Sequence, residues 1–97
     1  MNTNNPSLKE LFQPDINNLL TRFKKFELDE EERNWHFHRY FKNLDTSDPL
    51  VLTTLKEVLI ERINTLKAQG LVSLNEDEKH TYEVLQQFYT AANQVST

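Results

Sequence analysis

Ninety-seven residues with 37% hydrophobic side chains, one Gly and three Pro are enough for a single small core, and too poor in turn formers for an all-β fold. The absence of Cys excludes disulfides, thiolate metal sites and cysteine nucleophiles, and suits a reducing interior. A net charge of -4, split as -2 up to Asp48 and -2 beyond it, leaves no basic tail or arm and sets the overall field against phosphate backbones.

Mean hydropathy is low at -0.70, yet the apolar residues are clustered and periodic, which argues for a folded chain. No apolar run approaches the roughly 18 residues that span a bilayer. The opening "MNTNNPSLKE" lacks the basic start and apolar middle of a secretory signal. The expectation is one soluble, cytoplasmic domain over residues 1–97, with 1–6 and 94–97 frayed.

Ser7 and Glu10 in "SLKE" have capping-box spacing and open a short helix from Leu8 to about Gln13, which Pro14 is expected to end. Asp15 opens the next helix, whose face is Ile16, Leu19, Leu20, Phe23 and Phe26. Asp29 is the following cap, with Glu30, Glu31 and Glu32 in the first turn, where carboxylates favour the positive helix end. That third helix runs to about Asn43 or Leu44. Asp48 and Pro49 then start the longest helix, which carries Leu52, Leu55, Val58, Leu59, Ile63 and Leu66 and runs to about Gln69. Leu50 and Ile60 lie off this stripe, so the buried face is wide.

Gly70, the only glycine, falls where a left-handed cap is needed, with Leu71 placed to fold back onto Leu66 in a Schellman ending. "SLNEDE" offers two overlapping starts, Ser73 with Glu76 and Asn75 with Glu78, for a last helix presenting Tyr82, Leu85, Phe88, Tyr89 and Ala92. Short loops make successive helices antiparallel neighbours. The fold class is therefore all-α, a small antiparallel bundle of four main helices with a short N-terminal helix in front. A winged ending, with "LVSL" and "TYEVL" as two strands, is the competing reading; the helical face running through Tyr82 and Leu85 speaks against it.

The densest stretch is "NWHFHRYFKNLD". On a helical wheel Phe37, Tyr40, Phe41 and Leu44 share the core face. Trp35 lies about 160° from Phe37, with Arg39 and Lys42 on its side and His38 on its flank. His36 and His38, two apart, diverge by a similar angle and do not form a ligand pair. Glu76 and His80 have i, i+4 spacing, but no further ligand accompanies them. There is no glycine-rich phosphate loop and no nucleophile elbow, and the carboxylates at helix starts are explained by capping. The reading assigns no catalytic, cofactor or metal residue.

Trp and Arg are the residues most enriched at binding hot spots. The second face of this helix, Trp35, His38, Arg39 and Lys42, is accordingly read as a docking surface. The partner would be another protein or a second copy of the chain, in the manner of an adaptor, inhibitor, immunity factor or small chaperone. The structural alternative buries Trp35 under the front helix with Leu8, Leu11 and Phe12. The functional alternative is a small nucleic-acid-binding regulator that uses Arg22, Lys24 and Lys25 with Arg39 and Lys42 around a stacking Trp35.

Overall fold

The computed structural model of the chain describes residues 7–95. Four helices account for most of it: α1 (Leu8–Phe26), α2 (Glu30–Lys42), α3 (Pro49–Ala68) and α4 (Glu76–Val95), with one 3₁₀ turn, Leu71–Ser73, between the last two. Among the described residues there is no strand, so the winged ending is replaced by a helix through Thr81, Tyr82 and Val84.

Local chemistry sets the helix starts. The Glu10 N–H donates to Ser7 Oγ at 3.2 Å. Asp29 and Glu32 form a reciprocal capping box at 2.8 and 3.0 Å, and Asn75 and Glu78 form another at 2.8 and 3.0 Å. Of the two starts offered by "SLNEDE", the second is used, and Ser73 stays in the 3₁₀ turn. Asp48 accepts from the Leu50 N–H at 2.9 Å, with Pro49 opening α3 where no N–H is needed. Each cap of this kind contributes about 1 kcal/mol.

The break expected at Pro14 does not occur. Pro14 lies in the second turn of a continuous α1, so the short front helix is the first part of a longer one. Phe12 and Ile16, one turn apart across the proline, are both buried and hold one face to the core. Pro14 itself is exposed, where water can take the Glu10 carbonyl that it leaves without a helical donor.

Helix α3 packs on α4 and on α1, while α2 packs on α4. The centre is aromatic. Phe37 of α2 stacks on Phe88 of α4 with ring centroids 4.4 Å apart and meets Phe23 of α1 edge-on at 5.3 Å. Tyr40 and Phe41 close on Phe88 from the same helix at 5.7 and 5.8 Å. Such pairs add about 0.5–1.5 kcal/mol each beyond the area they bury. Around them lie Ile16, Leu55, Val58, Leu59, Val84, Leu85 and Ala92. The wide face expected of α3 is present, and it includes the buried Thr54; Leu50, by contrast, is exposed.

Three further expectations are corrected. Phe26 is 61% exposed rather than core. Glu27 turns left-handed at φ 49°, and Leu28 returns its N–H to the Phe23 carbonyl at 3.4 Å and packs on the core in place of Phe26. The Schellman geometry expected at Gly70 is therefore found here, on a glutamate. Gly70 does have positive φ, 87°, but its ψ of 119° sends the chain outward, and Leu71 is exposed instead of folding onto Leu66. At the other end, α4 extends through residue 94 to Val95, which packs against the core, where the helix was expected to have ended; residues 1–6 and 96–97, also expected to fray, lie outside the described residues.

The two left-hand turns make opposite predictions. At Gly70 an added Cβ has room, its nearest neighbour being Ser73 Oγ at 3.6 Å, so the penalty of Gly70→Ala is backbone strain alone. It should destabilise by about 1–3 kcal/mol. Glu27→Gly should raise stability by about 0.5 kcal/mol, relief of left-handed strain less the added chain entropy of glycine. Thermal melting checks both: a lower midpoint for the first variant and a midpoint raised by about 2–4 °C for the second.

Candidate functional site

The capping box at Asp29 fixes where α2 begins, and Phe37 and Phe41 fix its rotation, because both are buried. Everything opposite those two rings then faces solvent. Trp35 is 57% exposed, and His38, Arg39 and Lys42 are exposed beside it. These four residues and Asn43 line one shallow depression along the outer side of α2. The Arg39 guanidinium lies 5.3 Å from the centre of the Trp35 ring, a cation–π contact worth about 0.5–1 kcal/mol at an exposed site. On its other side Trp35 meets the His36 imidazole edge-on at 5.0 Å. His38 turns its ring toward Phe41 at 6.4 Å.

Trp35 is not covered by the start of α1. Phe12 is in the core, and Leu11 is itself 50% exposed. A front helix that could fold back over Trp35 does not exist, since Pro14 leaves α1 unbroken.

Two residues join this surface that were not placed in the docking face from the sequence. His36 is half-buried against Phe23 of α1, with ring centroids 5.7 Å apart. Its imidazolium is held below the ordinary histidine range, first by burial, then by the charges of Arg22 and Arg39. The charges of Arg22 of α1 and Arg39 of α2 thus both reach one imidazole, although the acidic run Asp29–Glu32 separates them in the chain. His36 is drawn in because its neighbour Phe37 meets Phe23, a contact between helices that the spacing within α2 does not encode.

The other basic residues of the α1 cluster go elsewhere. Lys24 pairs with Asp77 of α4 at 3.1 Å, and Lys25 lies 5.5 Å from the ring of Phe26. The cluster Arg22, Lys24 and Lys25 thus does not act as one patch, and only Arg22 is tied by charge to the α2 face.

Two polar seams stiffen the ground under this face. Tyr40 donates its hydroxyl proton to Asp15 of α1 at 2.8 Å, and its pKa is pushed well above the usual phenol range by burial and by that carboxylate. On the α4 side Arg33 donates to Gln87 Oε1 at 2.8 Å and to the Leu28 carbonyl at 3.0 Å. Gln87 in turn donates to the Glu30 carbonyl and to Asn34 Oδ1. A polar groove runs along this second seam between α2 and α4, and its arginine and glutamine are already committed to each other.

Among the described residues no three His, Asp or Glu side chains gather as a metal would require. His80 carries a buried Nε2 without a hydrogen-bond partner, beside the Lys24–Asp77 pair. Among the described residues, too, no helix is long and apolar enough to cross a membrane. No model of a known protein family matches the chain, and neither curated proteins nor solved structures provide a match.

Phe41 and Trp35 sit on different faces of one helix, one buried and one exposed, and should respond unequally to truncation. Phe41→Ala should cost about 3–5 kcal/mol, because it empties a packed aromatic site. Trp35→Ala should cost less than about 1 kcal/mol. Denaturant unfolding of the two variants measures both, and equal losses would return Trp35 to the core.

Proposed function

We propose that the protein is a small non-catalytic interaction module that docks another protein through the outer face of α2, around Trp35. The observation that carries this reading is the exposed Trp35 ring with the Arg39 guanidinium laid on it. Trp and Arg are the residues that most often dominate binding energy, and both gain when water is excluded from them. A rigid helix presents them, anchored from behind by the Phe37–Phe88 stack, so little ordering is left to be done on binding. The role would be that of an adaptor, inhibitor, immunity factor or small chaperone, all of which use such a face without chemistry.

A second reading has its own support. The charges of Arg22 and Arg39 both reach His36, and Arg39 lies on the exposed Trp35 ring, so positive charge stands beside a stacking platform of the kind that single-stranded nucleic acid uses. Against it stand the net charge of -4 and the diversion of Lys24 to Asp77.

Trp35 is the only tryptophan, so its emission reports this face alone. Wild type and Trp35→Ala are used as baits in parallel, and any protein retained by the first alone is purified and titrated against the free chain. The expected result is a blue shift of Trp35 emission on binding, with affinity that falls only modestly from low to moderate salt. A steep salt dependence with oligonucleotide, and no protein that distinguishes the two baits, would favour the second reading.

A further inference from the structure

The cations of this molecule differ in what they face. Lys9 is paired with Glu61 at 2.7 Å, Lys24 with Asp77 at 3.1 Å, and Arg33 is spent on Gln87 and a backbone carbonyl. Among the described residues, neither Arg39 nor Lys42 on the outer face of α2, nor Arg22 of α1, has a carboxylate within ion-pair distance. Glu32, whose charge also reaches His36, is held by the Asp29 N–H in its capping box. An acidic protein thus presents a local basic face whose charges are not answered from within.

That face also has a definite size. From Trp35 to Lys42 the helix rises roughly 10 Å, the length of a few residues of extended chain. At one end is the Trp35 ring with the Arg39 guanidinium on it, a group that takes a carboxylate with two parallel hydrogen bonds, and at the other is the Lys42 ammonium.

Resting on the docking function proposed above, we propose that the occupant is an acidic segment of another protein, with an apolar side chain laid against Trp35 and neighbouring carboxylates on Arg39 and Lys42. Charge complementarity chooses this occupant over the others. A second copy related by a two-fold axis through the face would set Arg39 and Lys42 against their own equivalents. A nucleic-acid strand carries charge in both directions past the short basic strip, and one of those directions leads along α2 to Asp29, Glu30 and Glu31. A peptide places its charges only where the face can meet them.

The test is a selection of short random peptides displayed on phage against the immobilised full chain, with Trp35→Ala as the counter-target. The enriched sequences are then made as free peptides and titrated by calorimetry against wild type, Arg39→Glu and Lys42→Glu, each first shown by melting to be folded. The expected result is an enriched set that is net acidic around an apolar residue, with affinity lowered about tenfold or more by Arg39→Glu. A Trp35-dependent set without acidic bias, or one indifferent to both charge reversals, would overturn this inference and leave the docking face standing. Failure to enrich any Trp35-dependent peptide would overturn both. Tighter binding of an oligothymidylate than of any selected peptide would transfer the face to nucleic acid. Concentration-dependent assembly of the chain, abolished by Arg39→Glu, would transfer it to a head-to-tail copy.

Discussion

The stack of Phe37 on Phe88, with Phe23 edge-on to it, is the constraint from which the rest of this molecule follows. It joins three helices at one point. With Phe37 fixed, α2 cannot rotate, and the side chains opposite are committed to solvent. Phe41 a turn later adds a second pin on the same face. A helix of only 13 residues would be marginal alone, so its order comes from these contacts and from the caps at its start.

Behind the aromatic centre the polar bonds do a different job. Tyr40 with Asp15, and Arg33 with Gln87, join α2 to α1 and to α4 at its two flanks. Each is half-buried, where a missing partner would cost more than the bond itself gains. They therefore select one register of α2 against its neighbours more than they add net stability. The surface charges then follow from register: Arg22 comes beside His36, while Lys24 turns to Asp77. The proposed docking face is thus a by-product of core packing in its position, although not in its composition.

The two chain reversals show how local preference gives way to packing. Gly70 supplies a free positive φ, and the chain uses it to leave the helix outward. Glu27 adopts a left-handed turn that a glutamate resists, because the reward is Leu28 on the core and its N–H on Phe23. The same competition explains Pro14. One lost helix bond on the solvent side is outweighed by keeping Phe12 and Ile16 on one buried face.

By itself the sequence determined the class of fold, the helix starts at Ser7, Asp29 and Asp48, and the two-faced character of α2, and it left two overlapping starts, at Ser73 and Asn75, for the last helix. These features are local: a cap needs a side chain three residues from an N–H, and a face needs only the helical period. Only the tertiary structure decided that α1 continues through Pro14, that Leu28 replaces Phe26 in the core, that Val84 and Ala91 are buried with the expected stripe of α4, and that no element among the described residues buries Trp35. It also decided which cations share a surface. Arg22 and Arg39 are far apart in the chain, and Lys24 is two residues from Arg22, yet the charges of the first pair both act on His36 while Lys24 pairs with Asp77. Proximity between helices depends on how their rings interlock, and no periodicity within one helix encodes that.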